Sequence, residues 1–252
     1  MTLLEARGVS KHYGAFRALD DVSLTIGDGE FLAIVGQNGA GKTTLVNLLT
    51  GLLAPTRGAV YFKGRNIAGI GPVVLAGRGM ARAFQLVQIF PQLTVGETIA
   101  VAVVARQGKQ WRLFSSLSRD SGVAARVQEI AGRFGLHDRL QAPSRSLSQG
   151  EKKLLDVASA FALEPEVILL DEPTSGVSSS EKHGVMKTLI AAAESARVKA
   201  VILVEHDMDL VAAYARRVVA LSEGRVLADL PPGPFFSDPL IIATVVGKRG
   251  VS

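Results

Sequence analysis

The chain has 252 residues, no cysteine, and 28 Lys+Arg against 23 Asp+Glu, a formal charge of 28 − 23 = +5. That length buries roughly 70–75% of the unfolded surface, so a full core forms without staples, and the missing thiols exclude disulfides, a cysteine nucleophile and cysteine-ligated metal centres. Mean hydropathy is +0.28, yet no apolar run nears the roughly 18–20 residues of a membrane span, and the four histidines are scattered without metal-ligand spacing.

In chain order, the first 30 residues read as short strands joined by turns, with Val22-Ser23-Leu24-Thr25-Ile26 alternating as a half-buried strand does. Phe31-Leu32-Ala33-Ile34-Val35 is a continuous apolar run, the pattern of a strand covered on both faces. Gly36 follows, then a glycine-rich loop and a helix with Leu45, Val46, Leu48 and Leu49 on one side. Val60-Tyr61-Phe62 reads as a strand and 64–84 as mostly irregular. Residues 91–163 carry helical spacing, with 106–122 the most loop-like stretch. Val167-Ile168-Leu169-Leu170 and Val201-Ile202-Leu203-Val204 are buried strands. Between them lies a helix from Ser178 to Ala196, with Ser178 and Glu181 spaced as a capping box. Val218 to Ala228 reads as a hairpin turning at Glu223-Gly224, and Pro231-Pro232-Gly233-Pro234 as a loop. This alternation predicts an α/β fold with a parallel sheet and a helical subdomain.

The longest apolar stretch, near Ile99–Ala105, ends at Arg106, and Glu5 precedes any apolar run, unlike a secretory signal. The expectation is a soluble, cytoplasmic chain. Basic residues never run beyond two, as in Lys152-Lys153 and Arg216-Arg217. The stripe that marks a nucleic-acid binder is therefore missing, and the positive balance suits a smaller anion such as a nucleotide, or a membrane-side position.

Gly36-Gln37-Asn38-Gly39-Ala40-Gly41-Lys42-Thr43 fits G-x-x-x-x-G-K-[ST] between a predicted strand and a predicted helix, the context a phosphate-binding loop requires. Its glycines let backbone N–H groups wrap phosphates, the helix N-terminus adds positive dipole, Lys42 supplies a charge, and the Thr43 hydroxyl can ligate Mg²⁺. Asp171 and Glu172 end a buried strand; the first suits Mg²⁺ and the second a water that attacks phosphorus. Ser148-Gln149-Gly150-Glu151 opens a helix. Ser148 and Glu151 can form a capping box, or the helix start can face a γ-phosphate. Gly36, Asp171 and His206 all fall at strand carboxyl ends, where such sheets bind ligands.

The order and spacing of GQNGAGKT (36–43), Gln85 in AFQ, LSQGE (147–151), LLDEPT (169–174) and His206 in VEHD resemble the nucleotide-binding subunit of an ABC transporter, over roughly Leu3 to Ala228. The resemblance implies a P-loop NTPase fold: one nucleotide-binding domain over 1–252, with a mainly parallel core sheet and an N-terminal antiparallel β region. It further implies a helical subdomain of about 86–163 inserted in a RecA-like core, and a tail from 229 to 252. The implied cofactors are ATP and Mg²⁺. ATP would be held by Tyr13 (stacked on adenine), Gly36, Gln37, Asn38, Gly39, Ala40, Gly41, Lys42, Thr43 and Thr44. The metal would be held by Thr43, Gln85 and Asp171, and catalysis would fall to Glu172, His206 and Lys42. Ser148, Gln149, Gly150 and Glu151 would act in trans on ATP bound by a second ATPase subunit. Here Gln149 stands for the family's Gly, Glu151 for its Gln, and Ser178 for the Asp that often ends the cross-dimer loop. Implied partners are that second subunit, transmembrane permease subunits and, indirectly, a solute-binding protein, with no nucleic acid; the implied place is the inner face of the cell membrane.

Glu205-His206-Asp207-Met208, the pattern L-x-x-I-F-P-x-L-T-V after Gln85, and the tail residues Asp229, Asp238-Pro239 and Gly247 resemble the ATPases of branched-chain amino acid and related amide importers. Leu230 replaces the usual glycine, and Pro231–Pro234 is expected to break the usual helical tail. Segment 86–122 would face the permease, with Trp111 and Phe114 as contacts. The alternative is the ATPase of a lipid or polysaccharide exporter. A soluble ABC ATPase acting on DNA or ribosomes would need coiled coils or a fused second cassette, for which this chain has no room.

Overall fold

The computed structural model describes residues 1–83, 90–108 and 120–246. The described strands are β1 (Thr2–Tyr13), β2 (Phe16–Gly27), β3 (Glu30–Val35), β4 (Arg57–Phe62), β5 (Arg65–Asn66), β6 (Met80–Arg82), β7 (Val167–Asp171), β8 (Ala200–Val204), β9 (Arg217–Ser222) and β10 (Arg225–Leu230). The helices are α1 (Lys42–Leu49), α2 (Pro72–Gly77), α3 (Val95–Arg106), α4 (Ser121–Arg133), α5 (Gln149–Phe161), α6 (Ser179–Ser195), α7 (Met208–Tyr214), α8 (Pro232–Ser237) and α9 (Pro239–Val246). The chain divides into two compact units, Met1–Leu75 with Lys199–Ser252, and Ala76–Val198.

The first unit contains two groups of paired strands. β1 pairs antiparallel with β2 and with β4, and β5 extends β4. The N-terminal segment is therefore one long hairpin, not the short strands its turns suggested. Register shifts at Leu4, Val9 and Lys11 let twelve-residue strands twist and bend without breaking. In the other group β3 lies between β8 and β9, parallel to both, and β10 runs antiparallel to β9. Leu32, Ala33, Ile34 and Val35 are completely buried, as a two-faced apolar run demands. The Arg217 guanidinium grips Asp229 through two bonds of 2.6 Å and Glu30 at 3.1 Å, fixing β10 to β9 and the start of β3.

Helix α1 buries Leu45, Val46, Leu48 and Leu49 and stops at Thr50, whose hydroxyl turns back to the Val46 carbonyl at 2.8 Å. The expected loop at 231–234 is instead the start of a helix. Pro231 is the N-cap of α8 and Pro232 its first residue, and Pro234 stays within the first turn, where a missing N–H costs nothing. Phe235 of α8 is fully buried, with Ile241 and Val245 of α9, among Val35, Val211, Val218 and Ala220.

In the second unit β6 and β7 pair in parallel, Met80 opposite Val167. β6 and α2 correct the reading of 64–84 as irregular: both are too short to show a period, and α2 buries only Leu75. Helices α3, α4 and α5 pack together, and the Phe134 and Phe161 rings meet edge to face at 5.2 Å. Thr94 caps α3 in a box with Glu97. At α6 Ser178 is the N-cap, but the expected box does not form: its hydroxyl donates to the Glu181 carboxylate and accepts no amide. The Glu181 N–H bonds the Ser178 carbonyl instead, at 3.0 Å.

Candidate functional site

The glycine-rich loop runs from Gly36, directly after β3, into α1. Gly36, Gly39 and Gly41 have φ of 149°, 83° and 101°, values that L side chains rarely adopt. Space repeats the demand: a Cβ on Gly41 would stand 2.6 Å from the Ala18 carbonyl, and one on Gly36 would strike the Leu221 carbonyl. Gly41 is the N-cap of α1, no side chain caps the helix, and no acidic residue sits in its first turn. The N-cap therefore takes none of the helix's first N–H groups, and no acidic residue of the first turn offsets the positive dipole end. Lys42, 7% exposed, donates through Nζ to the carbonyls of Gly36 (2.7 Å) and Gln37 (3.0 Å), closing the loop around its cation. Thr43 is exposed and Thr44 half-buried at the helix start, and Ala40 is buried.

Gly36, Gln37, Asn38 and His206 are brought together on one cavity of about 680 Å³, with Asp207 to Asp209 and Val245-Val246 on its other sides. His206 is exposed and follows β8. Its backbone N–H donates to the buried Glu205 carboxylate at 3.0 Å, which fixes the turn that presents the ring. Asp207 then caps α7, accepting from Asp209 and Leu210. Tyr13 is half exposed beside the β1–β2 turn, with Lys11 Nζ 5.4 Å from its ring centroid.

The second unit holds the acidic strand end and the other helix start. Asp171 closes β7, and its Oδ2 is 2.5 Å from the Arg82 guanidinium of β6. Glu172 sits at φ 49°, a left-handed conformation that a non-glycine residue adopts only under constraint. The constraint is visible: its carbonyl accepts from Lys153 Nζ (3.2 Å) and Ser175 N (3.1 Å), and the same ammonium reaches Ser175 Oγ at 2.8 Å. Lys153 belongs to α5, so the helix opened by Ser148 holds the loop that follows Asp171.

At the start of α5 the capping box is complete. Ser148 Oγ accepts from Glu151 N (3.2 Å) and Glu151 Oε2 accepts from Ser148 N (2.8 Å). Arg139 Nε takes the other carboxylate oxygen at 3.0 Å. The Ser148 backbone bond, with the serine hydroxyl and Arg139 behind it, holds the Glu151 carboxyl below the ordinary glutamate range. Gln149 is exposed and Gly150 buried. Gln85, Trp111 and Phe114 lie outside the described residues.

The sequence reading missed Arg82, Lys153 and Arg139. Each acts on a partner far along the chain or across a turn, and none lies in a motif. Among the described residues no three His, Cys, Asp or Glu cluster as a metal cage. A magnesium ion does not ask for one, since one or two protein oxygens suffice when phosphates and water complete its shell. No described helix is long and apolar enough to cross a membrane.

Comparison with known proteins bears on this geometry. Residues 19–175 match the family model described as ABC transporter. The chain is 31% identical, over 98% of both sequences, to the high-affinity branched-chain amino acid transport ATP-binding protein LivG of Salmonella typhimurium. It is 38% identical to the hemin import ATP-binding protein HmuV of Thermobifida fusca, covering 95% of this chain and 80% of that one. The ADP conformation of MJ1267, an ATP-binding cassette of an ABC transporter, superposes with a TM-score of 0.87 at 27% identity, over 98% of this chain and all of that one. With its phosphate-type loop and α/β fold, the chain belongs to the ABC transporter family, as an ATP-binding, ATP-hydrolysing subunit.

Proposed function

We propose that this subunit uses Mg²⁺-ATP to power import of branched-chain amino acids or related amides. It would do so on the inner face of the cell membrane, paired with a second ATPase subunit and docked on permease subunits that a solute-binding protein feeds. The observation that carries the nucleotide role is the start of α1: three positive-φ glycines, an uncapped helix N-terminus and a buried lysine around one loop. In this reading residues 36–44 hold the phosphates, Tyr13 stacks on the base, and His206 faces the γ-phosphate from the cavity it shares with Gly36 to Asn38. Thr43, Asp171 and Gln85 would hold the metal, which would supply charge neutralisation at the phosphates. A carboxylate has two oxygens, so Asp171 can serve Mg²⁺ through one while Arg82 holds Oδ2. Glu172 polarises the attacking water, and Ser148 to Glu151 act on ATP held by the partner subunit. The domain reading is a single cassette with its helical part at about 86–163.

One relative is named for hemin import and the other for branched-chain amino acid transport, which supports import over export. The match to LivG covers 98% of both chains, and this favours the branched-chain solute. The test of the split-site mechanism is Glu172→Gln. ATP affinity should stay within about twofold, turnover should fall by about 10²–10⁴-fold, and ATP should gather the variant into a dimer visible by light scattering. Ordinary turnover in that variant would remove Glu172 from the chemistry. For the solute, the membrane proteins that copurify with the chain decide: a permease of the branched-chain class supports the reading, and an exporter's membrane subunits overturn it.

A further inference from the structure

The C-terminal helix touches the phosphate loop. Gln37 Nε2 donates to the Thr244 carbonyl at 2.6 Å, across 207 positions of chain. Thr244 is in the last turn of α9, where carbonyls lack an intrahelical donor, so the Gln37 amide acts as a cap for the negative end of that helix. Val245 and Ile241 of α9 are buried in the cluster that holds Ala33 and Val35, the latter being the residue just before the loop. Val245 and Val246 also face Gly36, Gln37 and Asn38 across the cavity. Gln37 is the residue on which the loop closes, because its own carbonyl accepts from Lys42 Nζ (3.0 Å) and Ala40 N (3.1 Å).

We propose that, given the loop's role as a phosphate cradle, α9 is a brace for it and Gln37 a positioning residue. Helix α9 is anchored in the core by Ile241 and Val245, and Gln37 transmits that anchor to the first turn of the loop. The turn is thereby held in the shape that ATP uses before ATP arrives. Preorganisation of this kind appears as affinity, not as chemical rate. One net hydrogen bond corresponds to about a two- to tenfold change in an equilibrium.

The experiment measures ATP binding and hydrolysis by the purified full-length chain, by Gln37→Leu, by a chain ending at Asp238, and by the combination. Gln37→Leu keeps the side chain's bulk and loses the donor. It should raise the dissociation constant and KM for ATP by about three- to tenfold with kcat within about twofold. The shortened chain should show at least as large a rise, and Gln37→Leu should then add less than about twofold to it, the signature of one shared interaction. Should the shortened chain melt below the assay temperature, hydrogen exchange in full-length Gln37→Leu decides. Faster exchange in both 36–41 and 239–246 supports the brace, and unchanged exchange overturns it. An unchanged or lowered KM in Gln37→Leu overturns it as well, as does an equal Gln37→Leu penalty in the shortened chain. Lys42→Ala run beside them separates the two readings: if Lys42→Ala binds ATP normally, the cradle itself is misassigned. If only the Gln37 and tail variants are silent, the cradle stands and the brace falls.

Discussion

Helices α1 and α5 begin in opposite ways. α1 starts from a glycine at φ 101°, with no side-chain cap and no acidic residue in its first turn. α5 starts from a serine, with a reciprocal capping box and a glutamate in its first turn. A helix start has only a few N–H groups to offer, and a cap takes one of them, so a start without a cap side chain leaves more of them for a ligand. The family resemblance assigns phosphate contact to both; the geometry assigns them different shares. At α5 the Glu151 N–H is spent on Ser148 Oγ and the Ser148 hydroxyl in turn supports the Glu151 carboxylate, and what faces outward is the exposed pair Ser148 and Gln149. In the proposed function nucleotide affinity accordingly rests on α1, with α5 a second surface whose shape is already set by its own cap.

Three substitutions test this contrast. The largest effect is expected for Lys42→Ala, which removes the charge from the anion-binding start: ATP affinity of the isolated chain should fall at least about 30-fold, measured by titration calorimetry. Retention of tight binding would show that the uncapped amides alone suffice. Next comes Ser148→Ala, which should cost about 1 kcal/mol of stability, or roughly 2–4 °C in melting temperature, with ATP affinity of the isolated chain unchanged. A large loss of affinity there would erase the contrast between the two helix starts. The smallest effect is Glu151→Gln, which keeps a side-chain acceptor for Ser148 N but not the charge. The folded-state Glu151 carboxyl is held below the ordinary glutamate range by the Ser148 backbone bond. Its charged form thus contributes stability that is fully present above about pH 4.5 and is lost as pH falls through the depressed value. Parent and variant should differ by a few tenths of a kcal/mol in urea unfolding at about pH 7 and converge toward about pH 3. A gap that widens with acid would contradict the assigned cause.

The same contrast explains what could be read from sequence. G-x-x-x-x-G-K-[ST] dictates its own backbone, because the glycines permit angles that little else does, and Ser148–Glu151 is a box written in four consecutive residues. Both are local. The β3, β7 and β8 strands were legible because burial on two faces leaves an unbroken apolar run. The α2 and β6 elements were not, because three to six residues carry no period. Helix α8 hid behind its prolines, whose breaking effect depends on position in the helix and not on composition. At α6 the spacing of Ser178 and Glu181 was right and the bonding different, because the carboxylate takes the Ser178 hydroxyl and the Glu181 amide the Ser178 carbonyl, a choice that no spacing encodes. The Gln37–Thr244 bond joins residues that only the docking of α9 brings together.

Glu172 sits at φ 49°, a backbone that costs a non-glycine residue roughly 1–2 kcal/mol. Any laboratory selection for heat tolerance alone will find that reserve, since glycine at this position relieves it at once. The survivors would be sturdier proteins without the carboxylate to which the proposed function assigns the attacking water. A thermostabilised version of this chain therefore has to be screened on turnover from the first round, with position 172 held constant.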